Sequence, residues 1–179
     1  MSSLIYNSVA TCKAFNLPGD VIYNGVSDLN EPLDKEKKHY TSDNVKLLLI
    51  GRINTWKGHQ LLIDSIINAK EQLKGAMPFQ VRIVGSAFEG YEYLLNELKE
   101  KLIKTIYKII SLFLILRRIL LNTFHGADYI VVPSSKPEPF GRVAVEAFAM
   151  SRPVIAANHG GLSEILTDKN DGFLLAQIM

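Results

Sequence analysis

From Val45 onward the apolar positions switch repeatedly between two spacings. "VKLLLIGR" is a nearly continuous apolar run closed by glycine, the pattern of a parallel strand buried on both faces. "HQLLIDSIINAKEQLK" follows, with Leu61, Leu62, Ile66, Ala69 and Leu73 at helical spacing. The succession then repeats. "QVRIVGS" reads as a strand, "YEYLLNELKEKL" as a helix, "YIVVPSS" as a strand and "GRVAVEAFAM" as a helix. "RPVIAAN" reads as a strand, "GGLSEILTD" as a short helix and "DGFLL" as a last strand. Strands alternating with helices need right-handed crossovers, so the pattern predicts an α/β fold: an open, Rossmann-like parallel sheet with flanking helices. Ligands of such sheets bind outside the carboxyl ends of the strands. Residues 1–44 show no such alternation. The turn-like "LPGD" and "YNGV" and the charged "DKEKKHYTSDN" make them a lead-in to a domain over 45–179.

Composition narrows the function classes. The 179 residues suffice for one domain with its own core, and 47% apolar with 21% charged residues is a globular balance. A net charge of +2, with bases mostly interleaved with acids, gives no footprint for nucleic acid. The single Cys12 excludes an internal disulfide framework and suits a reducing compartment. The start, "MSSLIYNSVATCKAF", lacks the basic end and long apolar core of a secretory leader, so the expected location is cytoplasmic. One segment stands apart: between Glu100 and Asp128 there is no acid. Its longest uncharged run, Ile109 to Leu116, is too short for a bilayer span, which takes about 20 residues. It reads either as a buried strand or as a helix lying on an anionic membrane, which would add peripheral contact with the inner membrane face.

Candidate chemistry clusters just after the strands. In "GRINTWKG", Arg52 and Lys57 sit on the loop before the helix that starts near Gly58. Two cations beside a helix N-terminus suit a phosphate or diphosphate, although a solvated loop with two surface charges has the same composition. Trp56 reads as packing that loop down. In "EPFGRVAVE", Pro139 holds Glu138 extended, outside the helix that Gly141 opens. Glu146 lies on a helix otherwise nearly all apolar, which predicts a buried helix and a carboxylate in need of a partner. Arg142, four residues earlier, is one such partner, in the weaker orientation of the helical pair. A ligand with two adjacent hydroxyls, such as a ribose, is the other. "NHGGLSEI" places paired glycines at a strand-to-helix turn, and Gly85 ends the strand "QVRIVGS". The four histidines, His39, His59, His125 and His159, lack metal-ligand spacing, and no Asp-x-Asp pair is present for a diphosphate-bound Mg²⁺. No metal site and no cofactor are therefore expected. The charge of a bound diphosphate would fall to Arg52, Lys57 and helix amides.

Residues 45–175 resemble the nucleotide-sugar-binding half of the retaining glycosyltransferases of family 4, also called group 1. The likeness rests on "GRINTWKG", on the E-x7-E element from Glu138 to Glu146, and on "RPVIAANHGGLSEI" with "DGFLL". It implies the C-terminal half of a two-domain GT-B fold and the transfer of a hexose from a UDP- or GDP-linked donor to a glycan or lipid-linked acceptor. It assigns the donor diphosphate to Arg52 and Lys57, the donor sugar to Glu138 and the ribose to Glu146. Backbone amides near Phe140 and Gly141 would meet sugar or phosphate, and Gly85 joins the donor-binding set. Glu138, Arg52 and Lys57 form the expected catalytic group.

Three departures from the family pattern accompany the likeness. "VIYNGVSD" resembles the interdomain junction, with only a short stretch before it, so the acceptor-binding domain is expected from elsewhere. "DGFLLAQIM" precedes the helices that usually close the family's domain. The 102–121 region carries "IKTIYKIISLFLILRRIL" where a polar loop, a strand and another polar loop are expected, as a locally shifted reading frame would leave it. These departures support a second reading: a non-catalytic binding remnant, or one subunit of a two-chain transferase.

Overall fold

The computed structural model describes residues 3–26, 44–75, 78–105, 110–113, 123–124 and 126–176. Its main element is a six-stranded parallel sheet. In chain order the structure runs β1 (Leu4–Tyr6), α1 (Val9–Phe15), β2 (Gly19–Val21), β3 (Val45–Ile50), α2 (His59–Gln72), β4 (Phe79–Val84) and α3 (Glu92–Thr105). It continues with β5 (Ile110–Phe113), β6 (Tyr129–Val132), α4 (Arg142–Ala149), β7 (Val154–Ala157), α5 (Leu162–Ile165) and β8 (Gly172–Leu175). The sheet order is β5-β4-β3-β6-β7-β8. Counted from β3, that is the Rossmann order, which reverses direction between β3 and β6. The loops leaving β3 and β6 therefore border one crevice, and the two strongest sequence motifs lie on them.

Both faces of the sheet are buried, as the unbroken apolar strands require. Leu48 and Leu49, successive residues of β3, are both buried and belong to different core clusters. Leu48 packs with Ile130, Ala144, Ala147 and Leu162 under α4 and α5. Leu49 packs with Leu62, Ile63, Ile66 and Leu98 under α2 and α3. Along α2 the inward stripe uses Ile63, while Leu73, read from the sequence as part of the stripe, is exposed at the helix end.

Two regions are decided by the structure rather than by the sequence reading. Within the basic, acid-free segment, β5 (Ile110–Phe113) pairs with β4 in parallel register, Val81 opposite Ile110 and Val84 opposite Phe113. The strand reading thus holds for these four residues, and the surface-helix reading does not; 106–109 and 114–122 lie outside the described residues. Among the described residues no helix is long and apolar enough to cross a membrane. The lead-in is also more ordered than its turn-like sequence implies. Residues 4–21 form a small parallel β–α–β unit, Leu4 opposite Gly19 and Tyr6 opposite Val21. Its strands are three residues each and leave Leu4 and Ile5 exposed, so no periodic signal marks them. Residues 27–43, which hold all but the last position of the charged stretch, lie outside the described residues.

Close backbone packing joins the strand ends. A Cβ built on Gly85 would stand 1.9 Å from the Gly51 carbonyl oxygen. Gly51 N–H in turn donates to Val84 O at 3.0 Å. Gly85→Ala must push the loops after β3 and β4 apart, and should cost about 2 kcal/mol or more. A lowered urea midpoint would show it; an unchanged midpoint would mean that the two loops separate freely.

Candidate active site

The loop after β3 is shaped by its own side chains. Asn54 Oδ1 accepts from the N–H groups of Trp56 (3.1 Å) and Lys57 (2.9 Å), turning the chain back toward α2. Gly58 ends the turn at φ +79° and caps α2. A Cβ there would stand 2.0 Å from the Pro133 carbonyl oxygen, so glycine is demanded by both conformation and contact. Ser135 N–H donates to Trp56 O at 2.8 Å, which ties this loop to the one leaving β6.

That tie brings two distant charges together. Lys57 Nζ lies 2.6 Å from Glu138 Oε1, although 81 positions separate them. Ser134 Oγ donates to the same oxygen at 2.5 Å. Glu138 is buried, 5% exposed, while the Lys57 side chain keeps 25% of its exposure. The glycine pair of "NHGG" holds Glu138 in place from behind. Gly161 N–H donates to Glu138 O at 2.8 Å, and a Cβ on Gly160 would stand 2.5 Å from that oxygen. His159 Nε2 lies 2.9 Å from Ser134 O. Phe140 is buried, and Gly141 at φ +102° opens α4.

Arg52 and Glu146 stand apart from this pair. The Arg52 guanidinium lies 5.4 Å from the Phe88 ring centre, over the loop after β4, and is exposed. Lys57 instead covers the Trp56 ring at 4.4 Å, so the Trp56 side chain stands beside the Lys57–Glu138 pair. Glu146 Oε1 accepts from Arg142 Nη2 at 3.3 Å. Burial pushes the Glu146 carboxyl pKa up, with the Arg142 charge partly opposing it. The helix is less enclosed than its composition predicts. Ala144 and Ala147 are buried, but Glu146 keeps 21% of its side-chain exposure and Ala149 is exposed. Methyl side chains on one face let α4 approach the sheet, and the other face meets solvent. Gly85 lies behind the loops, against Gly51.

Sequence reasoning missed Ser134, whose hydroxyl position depends on the fold of its loop. It also treated His59 only as a metal candidate. His59 opens α2 and is buried, and that burial lowers its pKa to about 4, with the Gly51 carbonyl opposing and the Lys57 charge adding. The unfolded chain therefore binds the His59 proton more tightly than the folded one. Stability from this group is full above the ordinary value near 6.5, falls as pH drops toward 4, and is flat below. The loss across that window is on the order of 3 kcal/mol. His59→Gln should flatten that part of a stability–pH curve, and a slope equal to the parent's would assign it elsewhere.

Comparison with known proteins agrees with this fold. The family model for glycosyl transferases group 1 matches residues 30–177. An uncharacterised glycosyltransferase of Methanocaldococcus jannaschii is 29% identical over 173 residues, covering 90% of this chain and 42% of that protein. A D-inositol 3-phosphate glycosyltransferase of Jonesia denitrificans is 33% identical over 132 residues, covering 72% of this chain and 30% of that one. Among solved structures, Anabaena HepE in complex with UDP and glucose superposes with a TM-score of 0.80 at 28% identity, over 98% of this chain and 49% of HepE. The chain thus spans half or less of the length of these relatives. Its parallel sheet has the architecture expected of the C-terminal half of a GT-B fold. With the family's model matched over most of its length, the chain belongs to the group 1 glycosyl transferases.

Proposed function

We propose that the chain is the donor-binding half of a retaining, family 4 hexosyltransferase that takes a UDP- or GDP-linked sugar. The observation that carries this is the Lys57–Glu138 pair, 2.6 Å apart at the crevice where the strand order reverses. Lys57, with Arg52 on the same loop, meets the diphosphate as it leaves. Charge that develops on a leaving group is best stabilised by donors already in position. Glu138, fixed by Lys57 and Ser134, contacts the donor sugar. Glu146 accepts from the ribose hydroxyls, replacing its long bond to Arg142. The amides of Phe140 and Gly141 meet the sugar or the phosphates, and Gly85 lets the loops after β3 and β4 close beneath the nucleotide. No metal or cofactor is assigned to the reaction.

The acceptor is a glycan or a lipid-linked molecule, held by a separate N-terminal acceptor domain. The protein then works in the cytoplasm, at the inner membrane face when the acceptor is a lipid. HepE, bound to UDP and glucose, supports a uridine donor.

A thermal-shift titration with UDP, GDP and ADP tests the reading. A ligand that binds only the folded chain raises the melting midpoint by mass action. A rise with one nucleotide names the base; a cooperative melt blind to all three refutes the donor site.

A further inference from the structure

The β1–α1–β2 unit lies outside the six-stranded sheet, yet it reaches the site through one residue of α5. The Glu164 carboxylate accepts from the Val9 N–H (2.9 Å) and the Ala10 N–H (2.6 Å) at the start of α1. It also accepts from the Tyr23 hydroxyl at 3.0 Å. Helix α1 already has its own cap, Ser8 Oγ accepting from Thr11 N–H at 2.9 Å. Glu164 takes the two amides that Ser8 leaves, across a separation of 155 and 154 residues, so it acts as a tertiary tie. Two further contacts converge beside the catalytic loop. The Thr11 hydroxyl lies 3.1 Å from the Pro139 carbonyl oxygen, and the Tyr23 and Phe140 rings stand 6.0 Å apart.

The tie completes a cleft. Asn7, in the turn between β1 and α1, and Asn24, just after β2, line a cavity of about 230 Å³ together with Lys57, Glu138 and Arg142. A carboxamide both donates and accepts, which suits hydroxyl groups that do the same. We propose that Glu164 is a positioning residue that latches the N-terminal unit onto the site, so that Asn7 and Asn24 form the wall facing the hydroxyls of the donor sugar. The inference rests on the donor-binding reading above. It also explains why an exposed carboxylate on a four-residue helix is spent on another unit's backbone.

Two measurements on the 179-residue chain decide it. The first is hydrogen exchange over the peptide holding Val9 and Ala10, in the parent and in Glu164→Ala. Losing charge-assisted bonds should speed exchange there about tenfold, with the β3–β8 sheet unchanged. Unchanged exchange overturns the latch. The second is titration with UDP and with UDP-glucose, in the parent, Glu164→Ala and Asn24→Ala, read by the fluorescence of Trp56. The expected result is that both variants bind UDP like the parent and lose about fivefold or more in UDP-glucose affinity. Equal weakening of both ligands would reduce Glu164 to a general stabilising contact and overturn the wall, as would a parent that binds the two ligands alike. A parent that binds neither refutes the donor-binding reading and the wall together, while the exchange result still decides the latch.

Discussion

Lys57→Ala is expected to weaken UDP binding by about two orders of magnitude and to destabilise the fold in the same step. The two effects share one cause. Lys57 Nζ is 2.6 Å from a Glu138 carboxylate whose side chain is 6% exposed. Without the ammonium, Ser134 alone faces that buried charge among the described contacts. Breaking a buried pair from one side costs about 3–5 kcal/mol. The partial exposure of Lys57 lets water relieve some of this, so about 2–3 kcal/mol is expected. Glu138→Gln separates the effects. The amide keeps the shape and the Ser134 contact and removes the buried charge, so stability should stay within about 1 kcal/mol of the parent. UDP binding should also survive, because Lys57 is then free to meet the diphosphate, while sugar transfer should fail if Glu138 contacts the donor sugar as proposed. Urea denaturation gives the first quantity and quenching of the sole tryptophan, Trp56, gives the second. A Lys57→Ala chain that binds UDP like the parent would sink the diphosphate cradle.

Glu146→Ala should weaken UDP by about ten- to a hundredfold and leave inorganic pyrophosphate untouched. The carboxylate sits half-buried on α4 with its pKa raised by desolvation, and its bond to Arg142 is long at 3.3 Å. Such a group gains most from a ligand that brings two hydroxyls. Pyrophosphate has no ribose and cannot report the loss. Arg52→Ala should instead weaken both ligands, because the proposal assigns Arg52 to the phosphates. Removing Glu146 should leave stability unchanged or slightly raised, since a desolvated carboxylate with one weak partner contributes little. Parallel loss of UDP and pyrophosphate affinity in Glu146→Ala would remove the ribose assignment.

The fold was legible because its signals are local. Each strand from β3 to β8 is a short apolar run, and each long helix carries its own period. The strand at Ile110–Phe113 is the instructive exception. Its basic, acid-free surroundings left a strand and a surface helix both open, and only the parallel pairing of this edge strand with β4 chooses between them. The small N-terminal unit was illegible for a related reason: three-residue strands with exposed apolar side chains have no period to read.

By itself, the sequence determined the alternation of strands and helices, the parallel sheet, and the motifs at the strand ends, since backbone periodicity and glycine placement act within a few residues. Only the tertiary structure decided which of those motifs meet. Lys57 reaches Glu138 because the order of strands brings the loops after β3 and β6 to one crevice, and Ser134 and the glycine pair then set the carboxylate's position. Arg52 was drawn toward Phe88, and Glu164 toward the amides of a helix near the other end of the chain. Contacts across such separations depend on the geometry of the whole sheet, which no local pattern of residues encodes.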